Sequence, residues 1–161
     1  MTISQEEKLQ ILNEEPQYEF MGNEAMFEQN VVDNLDQICE AMNLAPIKQI
    51  FRQERIAIDK FHARPDIIIR HEDKTRTIIE VKKVNNKYPS TGTSNQMNAI
   101  GQLLLYGNVF RAKSGIEARL MLIDCKIFYR TYCAFLNYNL PIALVEFQKD
   151  RLFIPYNGWR G

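Results

Sequence analysis

Two short runs constrain this chain more than any other feature. Asp66-Ile-Ile-Ile-Arg70 and Thr75-Arg-Thr-Ile-Ile-Glu-Val-Lys82 flank a polar stretch, His71-Glu-Asp-Lys74. Both runs are rich in β-branched residues and the break between them is polar, so the segment reads as a β-hairpin. Ile67-Ile68-Ile69 and Ile78-Ile79 are apolar at both strand parities. That pattern belongs to strands covered on both faces. A hairpin buried in this way forces the rest of the chain to supply a layer on each side.

The flanking sequence supplies such layers. Ser4 with Glu7 three residues on resembles a capping box and predicts a short helix over 4–12. Phe27, Val31, Leu35, Ile38 and Met42 recur at helical spacing and predict a helix over 23–43 capped by Asn23. Residues 47–58 predict a first strand, 85–93 a polar loop, 94–111 a helix, 118–129 a buried strand, and 141–147 with 151–155 a closing hairpin. The sum is an α/β chain, a mixed central β-sheet flanked by helices, in a single domain over 1–161 with its core over about 24–130.

Composition excludes some function classes. No run is long and apolar enough to span a membrane, and the first residues lack a signal-peptide layout, which predicts an intracellular protein. Cys39, Cys125 and Cys133 are scattered without zinc-ligand spacing, so they read as reduced, mostly buried thiols. The formal net charge is zero. Residues 1–40 nevertheless hold ten acidic and one basic side chain, which leaves nineteen basic and ten acidic in the remainder. The C-terminal part is therefore the one suited to face a polyanion.

The charges on the buried hairpin carry the chemistry. Centred on residue 73, the hairpin sets Asp66 opposite Glu80, and strand alternation puts Glu80 and Lys82 on the same face. Ile67, Ile69, Ile79 and Val81 then pack on the other. Two adjacent carboxylates repel unless a cation lies between them. Mg²⁺ and Mn²⁺ prefer oxygen ligands of this kind, polarise phosphoryl oxygens and acidify bound water. Lys82 is placed to orient that water or to stabilise charge developing on phosphorus.

Pro65-Asp66, thirteen intervening residues and Glu80-Val81-Lys82 resemble the PD-(D/E)XK nuclease motif. Gln102-Leu-Leu-Leu-Tyr106 is similar to the QxxxY motif of the RecB-type branch of that superfamily, and its two polar residues share one helix face. Glu28, with Glu24 as rival, matches the glutamate that the family carries on its first core helix. The resemblance runs over about residues 24–125 and implies a restriction-endonuclease-like core, a Mg²⁺ or Mn²⁺ cofactor and phosphodiester hydrolysis. It implies a metal held by Asp66, Glu80 and the Val81 carbonyl with help from Glu28, and catalysis by Asp66, Glu80, Lys82, Gln102 and Tyr106. His62 is a weaker ligand candidate.

The partner implied is nucleic acid, DNA before RNA. Lys83, Lys87 and Tyr88 are the candidate contacts, Gly92 allows close approach of a strand, and Arg111 with Lys113 extends a basic rim. The late strands offer an edge for a homodimer. Two alternatives remain open: a catalytically weak nucleic-acid-binding or scaffolding module on the same fold, and an endonuclease directed at RNA.

Overall fold

A computed structural model describes residues 4–13, 22–84, 92–148 and 151–160. The chain runs α1 (Gln5–Asn13), α2 (Glu24–Asp33), α3 (Leu35–Ala41), β1 (Ile47–Arg52), β2 (Ile56–Ile58), β3 (Phe61–Ala63), β4 (Ile67–His71) and β5 (Arg76–Val81). It continues through α4 (Gly92–Ser114), β6 (Arg119–Asp124), α5 (Tyr129–Tyr138), β7 (Ile142–Gln148) and β8 (Arg151–Asn157). Six strands form one sheet in the order β1-β4-β5-β6-β7-β8. The β5–β6 and β6–β7 pairs are parallel and the others antiparallel, so the sheet is mixed.

Strand parity sorts the apolar residues into two cores. Ile67, Ile69, Ile79, Val81, Met121, Ile123, Ala143 and Val145 pack with Phe27, Val31, Leu35 and Ile38 of α2 and α3. Ile68, Ile78, Leu120, Leu122, Ile142 and Leu144 pack with Ala99, Leu103 and Tyr106 of α4 and with Tyr132 and Phe135 of α5. The hairpin is thus covered on both sides, as its composition demands.

The expected helix over 23–43 is two helices. Asn23 caps the first by accepting the Met26 amide at 2.9 Å. Asn34 then breaks it at φ −115° and ψ 14°, and its side chain donates to the Asn30 carbonyl at 2.8 Å. The apolar stripe from Phe27 to Met42 stays buried across the break. The expected strand over 47–58 also divides. Gln53, in the left-handed region at φ 53°, ends β1, and β2 turns away to form a separate hairpin with β3.

The largest departure follows β6. The expected strand over 118–129 stops at Asp124, whose carboxylate accepts the amides of Cys125 at 2.6 Å and Lys126 at 3.4 Å and so competes with ladder pairing. The chain then forms α5, which the periodicity of the sequence did not reveal. The helix expected over 94–111 spans Gly92–Ser114. Gly92 does not border an open path for a strand. It is buried, and a Cβ there would collide with the Phe128 ring.

Candidate active site

Hairpin register decides the site. Ile67 faces Ile79, Ile68 faces Ile78, Ile69 faces Thr77 and Arg70 faces Arg76. The same register places Asp66, immediately before β4, across from Glu80. Asp66, Ile68 and Arg70 therefore share a face with Glu80, Ile78 and Arg76. The turn is held by Asp73, which accepts the Thr75 amide at 3.0 Å, with Lys74 at φ 72°.

Asp66 is fixed from both sides. Its Oδ2 accepts the Val81 amide at 2.8 Å and its Oδ1 accepts Gln53 Nε2 at 2.9 Å. Its carbonyl accepts the Gln53 amide at 3.0 Å. Glu80 is only 4% exposed, and its Oε2 is buried with no hydrogen-bond partner among the described residues. Burial, then the adjoining Asp66 carboxyl and its charge, push Glu80 up to about 9, while Lys82 and Tyr106 pull it back. Lys82 Nζ lies 3.8 Å from Glu80 Oε1, and the Lys82 amide extends the ladder to the Ile123 carbonyl at 2.9 Å.

Helix α4 closes the site from the second core. Tyr106 is buried there, and burial followed by the charges of Glu80 and Asp66 raises its hydroxyl to about 12. Gln102, one turn earlier, has a buried Oε1 with no hydrogen-bond partner among the described residues. The Glu80 oxygen without a partner among the described residues, the two apposed carboxylates and a nearby ammonium fit a hard divalent cation with its waters. Among the described residues no three His, Cys, Asp or Glu side chains converge. The carboxylates present are two, and further ligands would be carbonyl, amide or water oxygens.

Glu28 stands one step back. It pairs with Arg52 at 2.8 Å, and its Oε1 accepts Gln53 Nε2 at 3.3 Å. Gln53 thus donates to Glu28 and Asp66 at once. Sequence reasoning missed Gln53 and Arg52, because the left-handed turn that aims Gln53 leaves no periodic signal. Glu24 opens α2 and is exposed. His62 is exposed on β3, where it pairs with Ala57.

The expected nucleic-acid contacts scatter. Lys83 Nζ donates to the Val84 carbonyl at 3.3 Å. Lys87 and Tyr88 lie outside the described residues. Arg111 and Lys113 are in the last turn of α4. Lys113 is seven residues past Tyr106, about 10 Å along a helix, and does not border the acid pair.

A second polar cluster also escaped sequence reasoning. Asp124 accepts the Val84 amide at 3.0 Å and Gln96 Nε2 at 2.9 Å, besides the two amides of its own turn. Gln96 also donates to the Lys126 carbonyl at 2.6 Å. Burial pushes Asp124 up to about 7 against these four donors. The cluster ties the chain after β5, the first turns of α4 and the turn after β6 into one unit beside the acid pair.

No protein-family model and no curated protein matches the sequence. Solved structures do match. A repair endonuclease from Pyrococcus abyssi is similar over 82% of this chain and 50% of its own, with a TM-score of 0.50 and 12% identity. A fdxN element excision controlling factor protein from Anabaena variabilis is similar over 77% of this chain and 96% of its own, with a TM-score of 0.52 and 14% identity. Can2 from Sulfobacillus thermosulfidooxidans, solved with cyclic tetra-adenylate, is similar over 76% of this chain and 32% of its own, with a TM-score of 0.52 and 20% identity. The chain spans about half the length of the repair endonuclease. At these identities the likeness is one of fold, and that fold is restriction-endonuclease-like. Among the described residues no helix is long and apolar enough to cross a membrane.

Proposed function

We propose that this chain is a Mg²⁺- or Mn²⁺-dependent nuclease of the PD-(D/E)XK type, RecB-like in its Gln102/Tyr106 pair, that hydrolyses DNA phosphodiesters. The observation that carries the reading is the Asp66–Glu80 pair, with a buried Glu80 oxygen that has no partner among the described residues and Lys82 at 3.8 Å. The fold shared with a repair endonuclease supports it.

Asp66, Glu80 and the Val81 carbonyl would hold the ion, with Glu28 acting through Gln53. The bound ion supplies Lewis acidity and an acidified water. Ion binding would favour the carboxylate form of Glu80, its proton leaving to solvent, and the cation's charge would offset the repulsion with Asp66. Gln53 and the Val81 amide keep Asp66 oriented. Lys82 donates to the attacking water or to a non-bridging phosphate oxygen and offsets the charge gathering there. Gln102 and Tyr106 order water at the α4 side of the site. Lys83, Lys87 and Tyr88 belong to the backbone-contacting segment that follows β5. The biological setting is phage biology, defence, repair or recombination inside the cell, and β8, one of the two outer strands of the six-stranded sheet, is the edge for a homodimer.

The test is a cleavage panel on labelled linear, circular and single-stranded DNA and on RNA, with Mn²⁺, Mg²⁺ or EDTA. Metal-dependent DNA cleavage that disappears in Asp66→Asn is expected. Cleavage surviving in that variant contradicts the reading. Likeness to 96% of an excision controlling factor favours a second reading, a DNA-handling module without its own cleavage. Under it, DNA binding persists while Mn²⁺ binding is missing.

A further inference from the structure

The face that carries Asp66 and Glu80 at one end carries Arg70 and Arg76 at the other. These two arginines are direct cross-strand partners. Like charges directly opposite each other destabilise a strand pair. The Arg70 Nε is buried without a hydrogen-bond partner among the described residues, and no carboxylate among them forms an ion pair with Arg70 or Arg76. Arg76 is held by the turn, donating to the Lys74 carbonyl at 2.5 Å and the Thr75 carbonyl at 3.3 Å. Burial first and the Arg70 charge second lower its basicity.

A cleft of about 360 Å³ opens over this pair. Arg55 and Lys113 add two more cations to its wall, against one acid among the described residues, Glu54. Half-buried Phe51 and Phe110 supply aromatic surface. A guanidinium fork matches phosphate oxygens in pairs, and aromatic faces accept a base. The volume falls in the range of small-ligand pockets.

We infer that the cleft bordered by Arg70, Arg76, Arg55 and Lys113 is a second, non-catalytic site for a nucleotide, with its phosphate on Arg70 and Arg76 and its base against Phe51 and Phe110. The choice of a nucleotide over other aromatic anions rests on the nuclease reading, whereas the anion site itself rests on the arginine pair. Arg70 lies four residue steps along the strand from Asp66, about 13 Å. The phosphate is therefore not the scissile one. It belongs either to a distal part of the polynucleotide or to a free nucleotide.

Calorimetry in EDTA with 5′-AMP and with a 5′-phosphorylated DNA tetramer tests this without cleavage. Saturable binding of one or both is expected, weakened at least tenfold in Arg70→Gln. The rim variant Arg55→Gln, on an exposed side chain, is expected to weaken binding two- to threefold with the melting temperature close to wild type. Displacement of AMP by the tetramer assigns the site to the polynucleotide, and simultaneous binding assigns it to a free nucleotide. Neither probe binding to folded wild-type protein, or undiminished binding in Arg70→Gln, overturns the inference. Failure of Mn²⁺-dependent cleavage leaves this result intact, and loss of AMP binding leaves the cleavage result intact, so the two claims fail separately.

Discussion

The two ends of the β4–β5 ribbon make the same unfavourable arrangement with opposite sign. At one end Asp66 meets Glu80, and at the other Arg70 meets Arg76, with Ile68 and Ile78 packed between. Each pair sets two groups of one kind, acids or bases, across adjacent strands, and each leaves a buried polar atom without a partner among the described residues, Glu80 Oε2 and Arg70 Nε. The ends differ in their surroundings. Lys82, Gln53 and Tyr106 are arranged around the acids, as the proposed reacting centre requires. The arginines face an open cleft with aromatic walls, as a binding site needs. A ligand of the opposite charge would account for both ends under the two proposals above, a cation that lets Glu80 ionise beside Asp66 and an anion that offsets the two guanidiniums.

The largest effect that would break this contrast comes from the acid end. Lys82→Met should lower Mn²⁺-dependent cleavage by about a thousandfold, within the range that removing one preorganised donor costs, while leaving the melting temperature close to wild type. A cleavage time course with a thermal melt checks both. Gln53→Ala should cost less, about 10- to 100-fold in metal affinity or activity, the usual penalty for losing a group that orients a ligand. Parallel Mn²⁺ titrations and cleavage rates separate this from misfolding, since a merely structural role would lower the melting temperature without changing metal affinity.

At the basic end the sign reverses. Arg70→Gln removes a like-charge opposition and should raise the stability of the ligand-free protein by a few tenths of a kcal/mol to about 1 kcal/mol, measured by urea unfolding. A clear loss of stability would show that the arginine pair serves packing and not a ligand.

The smallest effect concerns Asp124. Its carboxyl is raised in the folded state from 3.8 to about 7. An acid raised by folding leaves stability at its fullest below the unfolded value, and that contribution is lost as pH climbs through the folded one. Asp124→Asn should therefore flatten the fall in melting temperature between about pH 4 and pH 7, although the lost amide contacts lower the whole curve.

What was legible beforehand follows from distance along the chain. The hairpin register, its two faces and the Asp66–Glu80–Lys82 set were readable because strand parity and a short polar turn are local. The α2–α3 stripe was readable for the same reason, but not its break, since Asn34 acts through a single side chain bonded to Asn30. The end of β6 and helix α5 were hidden because Asp124 collects donors from Val84 and Gln96, 40 and 28 residues away. Gln53 was invisible because its role depends on a left-handed backbone and on two acids from other elements. The arginine pair lay in plain view, but only the cleft formed with Phe51 and Phe110 gives it a use.

The most direct measurement is calorimetric titration of Mn²⁺ into the wild-type chain and into Glu80→Gln. A saturable site in the wild type that is lost or weakened at least tenfold in Glu80→Gln is the predicted result. Equal Mn²⁺ binding by the two proteins, or none by a folded wild type, would contradict the claim that the acid pair exists to hold a metal.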